Sequence, residues 1–347
     1  QFTPNLGAQF DRFFHLLPGL NNVTDRIRYY SFYCWFFHSY AKYVGKPSKK
    51  DQFDHLRRAE FILSLLAAKN GVQGIGGITK ALEIYNTSQE TFDLTIGTGE
   101  EKKEKDGTYW KNPRGIFGQN YVSSLKQLFI ITDQDENSGC FVRTKFEVDE
   151  KISGYQLALA FEENIGSDIA KLFVDVMIKG IVSQADLETL SEPFNMLQIP
   201  LNTNEHQLIW NLITGNDEPK KEKITLFRKR TIQLLLEKVK QSDETFFDYR
   251  LTFDAYHQKG KIEENYDETL SLWYFYQLEQ FWHMACTGSL TTFLKLLDKE
   301  SKGFWIEEEE LIDKIANQVK EYFKEKNYID ENQTFKQLKI IDFLEED

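Results

Sequence analysis

A run of aromatic residues near the amino terminus constrains the fold more than any other feature of the sequence. Eight of the nine residues 29–37, YYSFYCWFF, are aromatic or cysteine. On a helix over residues 23–44 they would form two apolar stripes, one containing Tyr29 and the other containing Tyr30. A helix that is apolar on most sides must be enclosed by other elements. The run therefore predicts a globular protein with this helix through the centre of a domain.

Composition narrows the class of protein. At 347 residues the chain is long enough for about two domains of roughly 150 residues each. No stretch approaches 18 uncharged apolar residues, so the sequence predicts no membrane contact. Cys34, Cys140 and Cys286 lie far apart, which argues against a disulfide framework and predicts a reducing, cytoplasmic location. Many Lys, Glu, Asn and Ile residues with few Pro suggest an AT-rich bacterial genome.

Charge is unevenly spread along an acidic chain. The net charge is −12, yet residues 1–50 carry seven Lys and Arg against two Asp. Residues 300–347 carry seven Lys against fourteen acidic residues. The basic amino-terminal segment could meet an anionic partner, whereas the acidic tail would repel one. An ordinary solvated surface with local fluctuation in charge is the alternative.

Apolar periodicity predicts a mainly α, multi-helix protein. The predicted helices cover residues 6–16, 23–44, 51–69, 77–86, 118–128, 153–163, 167–182, 184–192, 204–214, 221–241, 266–298 (interrupted near Gly288), 307–326 and 334–344. A polar turn at 133–139 between two β-like stretches predicts a hairpin over about 129–148. Strand signals nearly vanish after Asp149.

Helices followed by a hairpin predict a small winged-helix-like α+β module over residues 51–148. This divides the chain into an aromatic helical segment, 1–50, the module, and a helical domain, 149–347. The hairpin tip, DQDENSG, contains three acidic residues and no basic one. An acidic tip would be repelled by duplex phosphates, so this module favours contact with protein over DNA.

Catalytic motifs are incomplete throughout the chain. Glu279 and His283 are four residues apart on one helix face, and Asp254 and His257 are three apart with Asp248 nearby. Each pair supplies two metal ligands with nothing obvious to complete the set. We therefore expect a non-catalytic protein without a cofactor or metal. A metal-dependent nuclease or hydrolase that uses Asp254, His257, Glu279 and His283 is the alternative.

Two sets of basic residues are candidates for binding. The stretch 220–240 is the densest in cations, and a solvated helix face competes there with a nucleic-acid contact. Its candidate residues are Lys220, Lys221, Lys223, Arg228, Lys229 and Arg230. A stand-alone nucleic-acid-binding protein acting through this stretch is a further alternative function.

The second set surrounds the start of the aromatic helix. Arg26 and Arg28 lie where the helix dipole disfavours cations, and an enclosed helix gives them little access to water. They should therefore meet carboxylates, in a buried salt-bridge network, or an anion in a pocket built with Thr24. The predicted anion-binding or partner-binding residues are Thr24, Arg26, Arg28, Arg57 and Arg58.

The segment LLPGLNNVTDRIRYYSFYCWFF resembles a signature of uncharacterised bacterial proteins often encoded in defence islands. The shared pattern is Pro-Gly-Leu-x-Asn-x-Thr-x-Arg-x-Arg-Tyr-Tyr-Ser-Phe. The matching residues are Pro18, Gly19, Asn22, Thr24, Arg26, Arg28, Tyr29, Tyr30, Ser31 and Phe32. Residues 57–67 and 115–131 also resemble later helices of that family, so the likeness covers about the first 130 residues.

The resemblance implies a role in antiviral defence against phage or mobile elements and brings no established catalytic residues. We expect a non-catalytic subunit or sensor of a defence complex. Its protein partner would be encoded nearby, as an ATPase or nuclease, with nucleic acid as a further contact.

Overall fold

The computed structural model describes most of the chain. The described residues are 16–21, 23–24, 26–44, 48–87, 89–95, 112–132, 139–146, 151–215, 223–241, 267–301 and 307–325. They belong to two compact units, a larger one over 10–274 and a smaller one made of 1–9 and 275–347.

The fold is mainly α, as predicted. The α-helices are α1 Arg28–Tyr43, α2 Lys49–Lys69, α3 Ile78–Tyr85, α4 Val122–Gln127, α5 Gly154–Ile165, α6 Ser167–Lys179, α7 Gln184–Ser191, α8 Asn204–Thr214, α9 Lys223–Gln241, α10 Asp267–Ser301 and α11 Glu308–Glu325. A π-helical turn, Phe117–Tyr121, precedes α4. Side-chain caps explain where several helices begin: Ser48 caps α2, and Ser153 and Ser183 form capping boxes on α5 and α7.

Two small antiparallel sheets accompany the helices. Strand β2, Ile131–Thr132, pairs with β3, Val142–Arg143, within the predicted hairpin. Strand β1, Thr91–Asp93, pairs with β4, Ile181–Ser183. The second pair joins segments about ninety residues apart, and β4 lies in the region after Asp149, where strand signals nearly vanish. Three-residue strands are too short to show a clear alternating pattern, and their pairing depends on the packing around them.

Helix α1 lies at the centre of the larger unit. All ten residues from Arg28 to Phe37 are buried, which confirms the predicted enclosure of the aromatic run. The helix packs against α5, β3, α6 and α8. Its rings meet those of other elements mainly in edge or tilted contacts, as in Trp35 against Phe173 at 5.4 Å between ring centroids.

Helix α1 begins later than the predicted residue 23. The chain before it turns at Gly19, whose φ is +80°, and the Tyr30 hydroxyl donates to the Gly19 oxygen at 2.8 Å. Because this tertiary contact fastens the preceding loop, the first helical residue is Arg28. Helix α10 is longer than predicted, because it continues through Gly288, where an interruption was expected. A single glycine costs a helix only about 1 kcal/mol.

Some predicted features lie outside the described residues, namely most of the helix at 6–16, all of 334–344 and the acidic hairpin tip at 133–138. Within the described ranges, no helix has both the length and the apolar content required to cross a bilayer. The described core contains residues from all three predicted segments of the chain. The division at residues 50 and 148 stays a prediction.

Candidate functional site

Arg28, at the centre of the predicted anion-binding set, is buried in an ion pair. Its Nε lies 3.4 Å from Oε1 of Glu205, and its Nη1 donates to the Asn195 backbone oxygen at 2.6 Å. Glu205 also accepts from Ser31 at 2.5 Å and from the Asn164 amide at 2.6 Å. Buried ion pairs require such additional hydrogen bonds, because desolvation opposes the pair. Sequence analysis left two alternatives for Arg28, a buried salt bridge or an anion pocket. The structure shows the buried salt bridge.

Thr24 and Arg26 lie in the loop before α1. Thr24 is buried, and its hydroxyl lies 3.0 Å from that of Tyr30 and donates to the Asn21 backbone oxygen at 3.3 Å. Arg26 is half-buried, and its Nη2 donates to the Gln73 backbone oxygen at 3.4 Å. These contacts attach the loop to neighbouring backbone.

Arg57 and Arg58 on α2 also contact backbone. Arg57 forms an ion pair with Asp54 and donates to the Pro113 oxygen at 2.7 Å. Arg58 donates to the Ile178 oxygen at 3.1 Å, in the last turn of α6, where a cation complements the helix dipole. The contacts of the four predicted arginines therefore go to different segments of the chain. Their assembly into one anion-facing or partner-facing cluster stays a prediction.

The basic stretch that begins at residue 220 is described in part. Residues 220–221 and the side chain of Lys223 lie outside the described positions. Arg228 is buried, and its Nη1 donates to the Pro18 oxygen at 2.9 Å. Residues 229–230 are half-buried. Arg228 thus links α9 to the loop before α1, and a nucleic-acid contact through this helix stays a prediction.

The metal-ligand pairs are located as follows. Glu279 and His283 lie one turn apart on α10, whereas Asp248, Asp254 and His257 lie outside the described part of the chain. Among the residues that the structure describes, no three His, Cys, Asp or Glu side chains are placed to hold a metal ion.

Glu60 is a buried carboxylate that sequence reasoning did not single out. Its Oε1 accepts from the Phe117 backbone N–H at 2.7 Å and from the Tyr33 hydroxyl at 2.9 Å, and its Oε2 accepts from the Ile116 N–H at 2.9 Å. The carboxyl group thereby fastens the π-helical turn to α1 and α2. One signal was present in the sequence: an acidic residue within the stretch AEFILSLLA, whose other residues are apolar except Ser64.

Burial dominates the ionisation of Glu60. It raises the pKa of this carboxyl from 4.5 to about 7, although the hydrogen bonds from Phe117, Ile116 and Tyr33 oppose the rise. Gly115 lies directly against the carboxyl, and a Cβ added there would overlap it. Its φ of +63° also favours glycine. The arrangement is a fastening between elements rather than an open site.

An exposed apolar face lies on the part of α10 that belongs to the smaller unit. Trp282 has 57% of its surface exposed, and six other large apolar side chains on this part of the helix are also exposed. Met284 lies on the side of the helix opposite Phe275, and the other five form one set with Trp282. We call this set the α10 apolar face; it consists of Phe275, Leu278, Trp282, Leu290, Phe293 and Leu294.

Helical geometry places this set on one side of α10. Phe275, Leu278 and Trp282 follow the i, i+3, i+7 pattern, and Phe293 comes eleven residues later, close to three full turns. The face from Phe275 to Phe293 spans about 27 Å at ~1.5 Å per residue. Residues 275–294 include one charged residue, Glu279. Large exposed apolar patches of this kind are typical of protein–protein interfaces.

Comparison with protein-family models, with curated proteins and with solved structures finds no match to the chain. The family resemblance of the amino-terminal segment therefore stays a prediction.

Proposed function

We propose that the protein is a non-catalytic subunit or sensor of a bacterial antiphage or mobile-element defence complex, acting in the cytoplasm. It docks through the α10 apolar face onto a protein partner, an ATPase or nuclease encoded nearby. The observation that carries the docking is the uncharged, exposed face itself. The defence role comes from the resemblance of residues 17–37.

The occupant that suits this face is an apolar helix or groove of another protein. Burying a large apolar side chain that is now in water is worth about 1.5–3 kcal/mol, and Trp282 is the type of residue that dominates interface energetics. The face has almost no charge to attract a polyanion such as nucleic acid. These properties support a protein partner.

The proposal keeps the winged-helix-like interpretation of residues 51–148. The β2–β3 pairing and the helices α2 and α3 are compatible with that interpretation. In this role the module would contact protein rather than duplex DNA, because its hairpin tip, DQDENSG, contains three acidic residues and no basic one.

The test is capture of the partner by the full tagged chain from its bacterial source, with and without nuclease treatment. Partners are identified by mass spectrometry and then co-expressed with the chain. We expect a stoichiometric complex that survives nuclease and is lost in Leu278→Asp/Trp282→Asp, because both substitutions place charge on the α10 apolar face.

Ile312→Asp is the matched control, since Ile312 is an exposed apolar residue on α11 of the same unit. This variant should retain the partner. The proposal is wrong if the double variant retains the co-expressed partner, if the complex dissolves with nuclease, or if light scattering shows that the face only joins two copies of this chain.

A further inference from the structure

Phe129 adopts a backbone conformation that glycine usually provides. Its φ is +56°, in the left-handed region. It follows α4, where its N–H donates to the Lys126 oxygen at 2.9 Å and the Ile130 N–H donates to the Leu125 oxygen at 3.1 Å. This pair of hydrogen bonds defines a Schellman helix end, at which a residue with a Cβ is disfavoured. The side chain is 43% exposed, so burial in the core does not account for an aromatic residue here.

Cations lie against the exposed rings near this position. The Lys151 Nζ lies 3.8 Å from the Phe129 ring centroid and 5.9 Å from that of Phe146. Phe146 is itself 38% exposed. One ammonium group thus lies near two rings that both reach solvent.

A second group of the same kind lies beside the first. The Arg143 guanidinium carbon and the Lys145 Nζ lie 5.5 and 5.1 Å from the Tyr155 ring centroid. Thr144 joins the two groups: its hydroxyl donates to the Phe129 oxygen at 2.7 Å, and its backbone oxygen accepts from the Tyr155 N–H at 2.9 Å. The rings and cations are therefore held on ordered backbone.

Together these side chains form what we call the hairpin surface. It consists of Phe129, Arg143, Lys145, Phe146, Lys151 and Tyr155.

The described part of the hairpin surface contains cations but no carboxylate, on a chain whose net charge is −12. Its described segments, 139–146 and 151–158, contain three cations and no acidic residue. The acidic residues Glu147, Asp149 and Glu150 lie between them in sequence, outside the described positions. Exposed rings alternating with cations match the chemistry of an unpaired nucleic-acid strand, whose bases stack on aromatic rings and whose phosphates pair with Lys and Arg.

We propose that the hairpin surface binds single-stranded nucleic acid. Phe129 and Phe146 stack on bases, and Arg143, Lys145 and Lys151 contact phosphates. A duplex fits less well, because its bases already stack on each other and are not free to stack on Phe129 and Phe146. The residues of this site differ from those of the α10 apolar face and of the basic stretch of α9. The proposed nucleic-acid binding therefore does not depend on whether a protein docks on α10.

The test is fluorescence anisotropy of the full chain with a labelled oligothymidylate of about 20 nucleotides, and with a duplex of equal length. We expect the single strand to bind about tenfold more tightly than the duplex. Three phosphate contacts predict a log–log slope of affinity against salt of about −2.

Phe129→Gly separates binding from folding. Glycine suits the left-handed conformation, so the melting temperature should be unchanged or higher. Loss of one stacked ring should weaken single-strand binding about tenfold. Lys145→Ala/Lys151→Ala should weaken it further and flatten the salt dependence. Lys171→Ala/Lys179→Ala, which removes two exposed lysines from α6, is the matched control and should bind as the unaltered chain does.

The proposal is overturned by any one of three results. The first is no single-strand binding at low salt. The second is equal or tighter binding of the duplex. The third is affinity in Phe129→Gly and in Lys145→Ala/Lys151→Ala that matches that of the α6 control.

Discussion

The buried carboxyl of Glu60 shows how one residue couples local structure to pH. Two backbone N–H groups and the Tyr33 hydroxyl surround it, and each would favour the ionised form. Complete burial outweighs them and raises the pKa to about 7. The native state therefore holds a proton that the unfolded chain has already lost at mildly acidic pH.

The direction of the pKa shift of Glu60 decides how the stability of the protein changes with pH. The pKa of Glu60 in the folded protein, about 7, exceeds the usual value of 4.5. Between these values the native state binds more protons than the unfolded state, so the free energy of unfolding falls as pH rises. The contribution is fully present below pH 4.5 and is lost by about pH 7, a change of roughly 3 kcal/mol.

Urea denaturation of the unaltered chain and of Glu60→Gln across this pH range measures the effect. Glutamine cannot titrate. The difference in unfolding free energy between the two proteins should therefore change by roughly 3 kcal/mol between pH 4.5 and about pH 7. A difference that is constant with pH would contradict the assignment.

At the scale of elements, the Gln52 side chain forms the hydrogen bonds to the hairpin backbone that a neighbouring strand would otherwise form. The Gln52 amide donates to the Phe141 oxygen and accepts from the Phe141 N–H, both at 2.8 Å. Gln52 is buried on α2, so its amide replaces the neighbouring strand that a sheet edge would otherwise need. The contact attaches the strand segment that leads into β3 to the helix behind it.

Gln52→Leu should therefore destabilise the larger unit. It leaves the N–H and the C=O of Phe141 buried without these partners, and we expect a loss of about 2–4 kcal/mol in the free energy of unfolding. Chemical denaturation measures this loss. Gln207→Leu, at an exposed position on α8, is the control and should change stability by less than about 0.5 kcal/mol. Equal effects of the two substitutions would contradict the role of Gln52.

At the scale of the whole molecule, the Arg28–Glu205 pair joins helices 177 residues apart in sequence. It links α1 to α8, which lie in different segments of the predicted three-part division. Contacts of this kind make folding of the larger unit depend on distant parts of the chain, because neither charge is satisfied until both helices are in place.

A double-mutant cycle tests this coupling. Arg28→Met alone should lower the free energy of unfolding by about 3–5 kcal/mol, because Glu205 remains buried without its partner. Arg28→Met/Glu205→Leu should recover part of that loss. Additive effects within about 0.5 kcal/mol would show that the pair is not coupled.

Much of the fold was predictable because helical signals are local. The bounds of α2 and α8 follow from apolar spacing and end signals within the segments themselves. The β1–β4 pair was not predictable, because three-residue strands carry no period of their own. The left-handed backbone conformation of Phe129 was also not predictable from the sequence. It depends on the helix end before it and on the contact with Thr144.

The positions of the helices and the enclosure of α1 followed from the order of residues along the chain. Their physical basis is the spacing of apolar side chains within single elements. This spacing is local and does not depend on tertiary contacts. The partners of the charged groups depended on packing instead. Arg28 met Glu205, Arg58 met the end of α6, and Glu60 met the π-helical turn. Such contacts join residues far apart in sequence, and their energies depend on burial that exists only after the helices assemble.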